Sequence, residues 1–467
     1  MVFSSAVFLW LFLPTVFVVN LLLPKGCSNA FLLLASLVFY AWGEPYYILL
    51  MLASILVNTL TGRAIRRYPR AKRLVLFAGV AANLAMLGYY KYAAFAVGIV
   101  NALLGRALLP VPAVTLPIGI SFFTFQAISY ICDVYRDSGN GDARPDKLIN
   151  VALYISFFPQ LIAGPIVQYR SIDRQIEHRS VTAEKAAAGF RRFTYGLAKK
   201  ILIANILGKT ADAIFARDVM TIGGRAAWIG ALFYTFQIYY DFSGYSDMAI
   251  GLGGMFGFTI PENFNYPYLS RSVGEFWRRW HISLGAWFRE YVYIPLGGNR
   301  KGTLRTYVNL SVVFFLTGLW HGASFAFVAW GLYHGFFSVL ERAGLSAFLQ
   351  KRRALSHVYL LAVVVFGWVL FRCGDLMTAA FFIKRMLLPW QYARFDAPLW
   401  TFLNNANATV FAAAVLGSGF LQRLIPPRAA ERLRGSLAEV LLCAALLLLC
   451  LASLASDTYN PFIYFQF

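Results

Sequence analysis

Charged residues are scarce in this chain, and acidic residues are the scarcest. Asp, Glu, Lys and Arg make up 13% of its 467 residues, whereas 59% of the residues are hydrophobic. Soluble domains carry about 25% charged residues. The composition therefore excludes an ordinary water-soluble domain and indicates a protein that crosses a membrane several times.

Basic residues outnumber acidic residues by 42 to 21, which gives a net charge of +21. Such a charge is also typical of nucleic-acid binding, but here Lys and Arg form short clusters between apolar runs, as they do in cytoplasmic loops. We therefore assign the charge mainly to contact with anionic membrane lipids, and we predict no nucleic-acid partner.

Cysteine pairs and catalytic sequence motifs are also missing. The five cysteines form no C-x-x-C pair, and Cys443 and Cys450 lie within an apolar run, which predicts free thiols. The sequence contains no H-E-x-x-H, P-loop or G-x-G-x-x-G motif, and Phe242-Ser243-Gly244 lacks the first glycine of a nucleophile elbow. We predict no metal site and no bound cofactor.

Long apolar stretches dominate what is present. A helix needs roughly 20 residues to cross a bilayer, so the sequence predicts about 11–13 membrane helices. We expect an all-α polytopic membrane protein that forms a single domain over residues 1–467, with additional interfacial and re-entrant helices. The stretches begin near Phe3, Ala30, Tyr46, Leu74, Val114, Leu148, Ala226, Val308, Ser324, Val358, Thr409 and Leu437.

Several segments depart from a simple membrane helix. Residues 116–126 combine a proline and a glycine with hydroxyl side chains, and residues 157–166 carry two prolines around Gln160, so we expect a kink or break in each. The charged, amphipathic segments 169–180 and 184–200 are typical of helices that lie along the membrane interface.

The basic cluster at residues 62–73 sets the predicted orientation. Under the positive-inside rule this loop is cytoplasmic, and counting back through three spans places the N-terminus outside. The first apolar segment has no basic region before it and no small-residue cleavage site, so we interpret it as a permanent span rather than a signal peptide.

Two histidines, each preceded by a tryptophan, are the strongest candidates for chemistry: Trp280-His281 and Trp320-His321. An ionisable side chain at membrane depth costs several kcal/mol unless it is paired or lines a watered cavity, which favours a functional role. His321 suits a general base that removes a proton from an incoming hydroxyl. The alternative is a core histidine that donates to a carbonyl, and for His281 an interfacial, watered position is an equal alternative.

Only the fold can bring His281 and His321 together, because a basic, glycine-interrupted segment separates them. Along one continuous helix His321 and His334 would be about 20 Å apart, so His334 is predicted to lie outside this centre. Asp241 and Asp247 would point to different faces of a helix. They are predicted either to form salt bridges with Lys or Arg from another segment, or to orient a histidine or line a polar cavity.

Taken together, these motifs resemble the membrane-bound O-acyltransferase family, and most closely its bacterial branch that acts in alginate O-acetylation. The resemblance is specific from the N-terminus to about Tyr333. It rests on MVFSS (1–5), FYAW (39–42), LPIGISFFTFQ (116–126), FPQLIAGPI (158–166), YDFSGYSDMAIG (240–251), FWRRWHISL (276–284) and LWHG (319–322).

This resemblance implies a ring or funnel of membrane helices around a thin central wall. It implies that His321 is the catalytic residue and that His281 is the second signature position, which would hold the acyl donor or the oxyanion. Within this scheme the candidate residues for substrate binding or tunnel lining are Trp320, Trp280, Asp241, Ser243, Asp247 and Gln160.

The resemblance further implies a bacterial inner-membrane enzyme that takes an acyl group from a cytoplasmic thioester, with acetyl-CoA as the expected donor. The acceptor would be a hydroxyl of an extracytoplasmic partner, such as an SGNH-type acetyltransferase that modifies an alginate-like exopolysaccharide or another cell-surface polymer. Three alternatives remain open: D-alanyl transfer from a carrier protein to teichoic acid, a polysaccharide or lipid-linked transporter without acyl chemistry, and a non-catalytic scaffold.

Overall fold

A computed structural model describes residues 1–138 and 147–463 of the chain. These residues are mainly helical and contain no β-strand, and one isolated antiparallel bridge joins Phe264 to Trp280. All five cysteines are free thiols. The prediction of an all-α membrane protein is confirmed.

Within the described residues, five helices are long and apolar enough to cross a membrane. The other predicted apolar stretches also carry helices, but these are shorter or more polar. The five helices are Lys25–Gly43, Ile48–Arg67, Lys72–Leu103, Arg353–Cys373 and Leu437–Ser456. The number of spans and their arrangement as a ring or funnel stay predictions.

The described part of the chain divides into two compact units. This division does not test the prediction of a single domain. The first unit comprises Met1–Phe193 and Met248–Pro261. Its helices are α1 (Phe8–Leu22), α2 (Lys25–Gly43), α3 (Ile48–Arg67), α4 (Lys72–Leu103), α5 (Ile120–Asp137), α6 (Leu148–Ser156), α7 (Phe158–Leu161) and α8 (Tyr169–His178).

A buried pair of amides joins α3 to α4 in the first unit. Asn58 Nδ2 donates to Asn83 Oδ1 at 3.1 Å, and Asn83 Nδ2 donates back to Asn58 Oδ1 at 2.7 Å. Polar side chains that pair in this way hold membrane helices together, because lipid offers them no other partner.

Helix breaks occur where the sequence predicts them in the first unit. Helix α5 begins only at Ile120, after Pro117 and after Gly119, whose φ of +77° is left-handed. Helix α6 ends before Pro159, and the short α7 follows, so the predicted break in residues 157–166 is confirmed. Segments 169–180 and 184–200 are helical as predicted, and their position at the interface stays a prediction.

The second unit comprises Thr194–Asp247 and Glu262–Phe467, of which the structure describes residues up to 463. The boundaries between the two units fall inside two helices, α9 (Ala183–Ala198) and α11 (Gly224–Met255). The remaining α-helices are α9 (Ala183–Ala198), α10 (Asn205–Phe215), α11 (Gly224–Met255), α12 (Val273–Arg279), α13 (Ile282–Phe288), α14 (Thr303–His321), α15 (Phe325–Leu340), α16 (Ser346–Gln350), α17 (Arg353–Cys373), α18 (Leu376–Leu387), α19 (Asn405–Val415), α20 (Leu421–Leu424), α21 (Pro427–Leu433) and α22 (Leu437–Ser456).

Short π-helical and 3-10 turns connect or interrupt these helices. The π-helical turns are Phe8–Phe12, Gly88–Tyr92, Lys199–Ala204, Arg289–Tyr293, Glu341–Leu345 and Leu416–Phe420. The 3-10 turns are Val219–Thr221, Pro267–Leu269, Pro389–Phe395 and Leu399–Thr401.

Helices α14 and α15 form a closely packed antiparallel hairpin, and glycines set their spacing. A Cβ atom on Gly318 would lie 2.4 Å from the carbonyl oxygen of Phe327, and one on Gly331 would lie 2.3 Å from that of Phe314. Both distances are far below van der Waals contact, so only glycine permits this approach of the two backbones. The hairpin carries His321 at its turn.

Candidate active site

His321 is the last residue of α14 and is buried among aromatic rings of the second unit. The centroid of its imidazole lies 5.0 Å from the rings of Trp320 and Trp330 and 5.2 Å from the ring of Phe371. All three neighbours meet the imidazole nearly edge to face. This packing fixes the orientation of the ring in surroundings of low polarity, where electrostatic interactions are stronger than in water.

His281 lies at the junction between α12 and α13, and its backbone is left-handed, with φ of +47°. A non-glycine residue pays about 1–2 kcal/mol for this conformation. Such strain persists where surrounding contacts enforce it, and it is often found at functional sites. The ring is buried, with its centroid 4.7 Å from the ring of Phe242.

The fold brings the two predicted histidines together. The ring centroids of His281 and His321 are 6.5 Å apart, and Trp320 contacts both rings, at 5.8 and 5.0 Å. An arrangement of two imidazoles within one buried site is typical of acid–base chemistry. The sequence permitted this meeting but did not require it.

The sequence analysis missed Asn263, which holds the backbone around His281. Its side-chain oxygen accepts hydrogen bonds from the Ser283 amide at 3.1 Å and from Ser283 Oγ at 2.8 Å, and it lies 3.2 Å from His281 Nδ1, within hydrogen-bond distance. Its backbone carbonyl accepts from the Ile282 amide at 3.0 Å. Asn263 is fully buried. The only signal in the sequence was a polar bend between two apolar segments.

Helix α12, which leads into His281, is anchored at its first residues. The carboxylate of Glu341 accepts hydrogen bonds from the amides of Val273 at 2.6 Å and Gly274 at 3.0 Å, and Ser272 Oγ accepts from the Glu275 amide at 3.0 Å. These bonds satisfy amides that a helix leaves unpaired at its N-terminus, and the negative charge suits that end of the helix.

Trp280 and Trp320 have different surroundings although each precedes a histidine. Trp320 contacts both imidazoles, as described above. Trp280 packs into the aromatic core of the second unit, 4.7 Å from the ring of Trp368 and 5.6 Å from that of Phe276. A role in substrate binding stays a prediction for both, and contact with the histidine pair favours it for Trp320.

Asp241 and Asp247 each form an ion pair with a lysine, which is the first of the two alternatives predicted for them. Asp241 Oδ1 lies 2.7 Å from Lys200 Nζ, and both side chains are buried. Asp247 Oδ2 lies 2.5 Å from Lys199 Nζ. The other carboxylate oxygen of Asp241 accepts from the amide of Ile463 at 2.9 Å, so the buried pair also holds the C-terminal segment.

Ser243 and Gln160 are both buried. Ser243 Oγ has no hydrogen-bond partner in the part of the chain that the structure describes. Gln160 belongs to the first unit, where its Nε2 donates to the carbonyl of Tyr154 at 2.8 Å. Tunnel lining stays a prediction for these two residues and for both aspartates.

A cavity of about 640 Å³ opens in the second unit near the end of α15. Its lining includes the exposed side chains of Arg278 and Arg342 and the aromatic rings of Trp277 and Phe314. Trp277 lies 5.6 Å from Trp330, which in turn contacts His321. Neither His281 nor His321 lines the cavity.

His334 lies nearer to His321 than a continuous helix would allow. The assumption of one helix was wrong, because α14 ends at His321 and α15 starts at Phe325, so that the chain turns back. The rings of His321 and His334 both contact Trp330, at 5.0 and 5.2 Å. Trp330 therefore links the rings of His321 and His334.

The chain is similar to a known protein family and to several known proteins. The model of the membrane-bound O-acyltransferase family matches residues 34–382, which include both histidines. The chain is 42% identical to the probable alginate O-acetylase AlgI of Pseudomonas putida over 100% of both chains. It is 36% identical to the peptidoglycan O-acetyltransferase of Helicobacter pylori, with 83% of this chain and 80% of that one covered. It is 30% identical to the teichoic acid D-alanyltransferase of Bacillus subtilis over 46% of this chain and 56% of that one.

Proposed function

The chain belongs to the membrane-bound O-acyltransferase family, and on that premise we propose that it moves an acetyl group from a cytoplasmic thioester to an extracytoplasmic hydroxyl. Family membership makes the chain an O-acyltransferase and a multi-pass membrane protein. The acyl group, the donor, the acceptor and the direction of transfer are the proposal.

One observation carries the proposal: two buried imidazoles lie 6.5 Å apart, at the turn of a helix hairpin and at a strained helix junction. In the proposed reaction His321 takes the proton from the acceptor hydroxyl. The hydroxyl oxygen attacks the thioester carbonyl, forming a C–O bond, and the C–S bond then breaks. The proton on His321 passes to the departing sulfur, so an ester and a thiol are formed.

The 640 Å³ cavity supports a cytoplasmic route for the donor. It opens beside Arg342, at the start of a basic connector that includes Lys351, Arg352 and Arg353, and the positive-inside rule assigns such connectors to the cytoplasm. Arg278 and Arg342 suit the phosphate groups of a donor such as acetyl-CoA, because a guanidinium binds phosphate oxygens in pairs.

Because His321 lies well away from the cavity, a donor bound in the cavity would need a long, flexible arm to bring its thioester to His321. From Leu340, near the cavity, to Trp330, beside His321, helix α15 covers about 15 Å at 1.5 Å per residue. Trp277 and Trp330 stand between the cavity and His321, so the thioester arm would have to displace at least the side chain of Trp277. A thioester at the end of a flexible chain fits this requirement.

The acceptor is proposed to be a polymer hydroxyl or a partner protein that passes the acetyl group on. The similarity to an alginate O-acetylase over the full length of both chains favours an exopolysaccharide, with an SGNH-type acetyltransferase as the extracytoplasmic partner. The proposed location is the bacterial inner membrane with the N-terminus outside. The basic residues at the end of α3 support that orientation.

D-alanyl transfer is the second candidate, favoured by the similarity to a teichoic acid D-alanyltransferase. In that case the donor would be a carrier protein, and the basic cavity mouth would face an acidic surface on it. The two O-acetylating relatives are similar over a larger share of this chain, which favours acetyl transfer.

Vesicles that contain the purified protein test the proposal. Acetyl-CoA labelled in the acetyl group is supplied on one side, and alginate oligosaccharides with an SGNH-type partner are supplied on the other. Label found as a sugar ester supports acetyl transfer across the membrane. Label that crosses without forming an ester indicates a transporter, and ester formation from a D-alanyl carrier alone indicates the second candidate.

A further inference from the structure

The side-chain amide of Asn263 has an orientation that its neighbours determine. The Ser283 backbone amide is a donor, so the atom that lies 3.1 Å from it must be the oxygen of the Asn263 side chain. The nitrogen of the same amide is then free to donate to Ser246 Oγ, at 3.1 Å. Hydrogen-bond partners are the proper basis for this choice, because the oxygen and nitrogen of an amide are otherwise hard to distinguish.

This orientation fixes the proton on His281. The Asn263 oxygen can only accept, so His281 Nδ1, at 3.2 Å, must carry the hydrogen of that bond. A neutral imidazole has one N–H, and the other nitrogen then holds a lone pair. In the neutral ring His281 Nε2 is therefore a hydrogen-bond acceptor, on the side of the ring away from Asn263.

We propose that Asn263 is a positioning residue that holds His281 as its Nδ1–H tautomer, so that His281 serves acyl transfer as an acceptor at Nε2. This inference rests on the proposed function. It replaces the expectation that His281 stabilises an oxyanion, since an oxyanion needs hydrogen-bond donors. His281 instead accepts a hydrogen bond from a donor group on the reacting molecules, and its ring centroid lies 6.5 Å from that of His321, which removes the proton.

Asn263 also holds the backbone around His281. The Asn263 backbone carbonyl accepts from the Ile282 amide, and its side chain accepts from the Ser283 amide. The donors of both bonds are thus the two amides that directly follow His281, the left-handed residue. One asparagine thus holds the strained backbone and selects the tautomer. A ring that a hydrogen bond orients in this way is ready for reaction without further rearrangement.

Magic-angle-spinning NMR of the full-length protein in lipid, labelled with ¹³C and ¹⁵N at histidine, tests the inference. The chain has only five histidines, and the His281→Gln spectrum identifies the His281 signals by their loss. Wild-type His281 should show a protonated Nδ1 and an unprotonated Nε2. A protonated Nε2 with a bare Nδ1 in the wild type would overturn the assignment.

Two variants separate positioning from stability. Asn263→Leu removes the acceptor, so His281 should populate both tautomers and acetyl transfer should fall about tenfold to a hundredfold, as for other residues that orient a reacting group. Ser283→Ala removes a different hydrogen bond to the same oxygen, so it should lower the melting temperature while His281 keeps the Nδ1–H tautomer.

The outcomes remain distinguishable from failure of the proposed function. If Asn263→Leu retains a pure Nδ1–H signal or wild-type transfer, the positioning role is refuted. If the wild type shows the Nδ1–H tautomer but transfers no acyl group from any thioester, the proposed function fails and only the hydrogen-bond assignment stands.

Discussion

The imidazole rings of His281 and His321 lie with their centroids 6.5 Å apart, although helix α13, a π-helical turn, a glycine-containing loop and the whole length of α14 lie between them in the chain. Different contacts hold the two rings. Edge-to-face aromatic contacts enclose His321, and hydrogen bonds to Asn263 fix His281. Because these two sets of contacts differ, substitution of one histidine should leave the other largely in place.

Donor binding is expected to depend on the arginines at the cavity mouth. The double substitution Arg278→Gln and Arg342→Gln should raise the KM for acetyl-CoA and leave kcat nearly unchanged. An exposed ion pair contributes up to about 1 kcal/mol, so each arginine should change KM by up to about fivefold. The effect should shrink as salt is added, because salt screens exposed charges.

A matched control for this measurement lies on the same helix. Arg279 pairs with Glu275 at 2.9 Å and does not line the cavity, so Arg279→Gln should leave the KM for acetyl-CoA unchanged. Equal KM values for the double variant and the wild type would place the donor elsewhere.

The hairpin that carries His321 should be sensitive to a single methyl group. In Gly331→Ala the new Cβ would lie 2.3 Å from the Phe314 carbonyl oxygen, so α14 and α15 must separate. Overpacking of this kind costs about 1–3 kcal/mol. We expect a lower melting temperature and reduced acetyl transfer together.

Gly98→Ala provides the comparison, because Gly98 also lies in a helix and a Cβ there meets nothing within 4 Å. Alanine favours helix over glycine by about 1 kcal/mol, so this variant should be as stable as the wild type or more so. A Gly331→Ala protein with unchanged melting temperature would show that the two helices do not need this close approach.

The buried pair of Lys200 and Asp241 should matter for stability rather than for chemistry. Lys200→Met leaves the Asp241 carboxylate buried without its partner, which costs about 3–5 kcal/mol in comparable cases. Adding Asp241→Asn removes the remaining charge and should restore much of the loss. Thermal unfolding of the single and double variants measures this, and equal destabilisation in both would argue against a buried ion pair.

Much of the fold follows from local sequence. Two prolines break the helix within residues 157–166, and Gly119 delays the start of α5, as their backbone preferences require. The ion pairs of Asp241 and Asp247 were one of two alternatives, because a carboxylate in an apolar segment needs a partner.

Features of the site that depend on distant contacts were not predictable. A new apolar stretch was predicted to begin near Ser324, and α15 begins at Phe325, where Ser324 Oγ caps the helix by accepting from the Phe327 amide at 3.4 Å. The close return of α15 along α14, which brings His334 near His321, was not predicted. Asn263 was missed because its side-chain partners Ser246, His281 and Ser283 lie 17 to 20 residues away in the chain, before and after it. No local pattern states which hydrogen bonds such a residue will make.

Acetyl transfer by the His321→Ala protein is the most direct measurement of the central claim. The purified variant, with labelled acetyl-CoA and acceptor, should lose about 10²–10⁴-fold in kcat, the usual contribution of a general base. Truncation of the buried ring should lower the melting temperature relative to His178→Ala, but the variant should remain folded at the assay temperature. His178 is exposed and has no proposed role in acyl transfer, so its variant should retain wild-type transfer. Transfer by a folded His321→Ala protein at the wild-type rate would contradict the account.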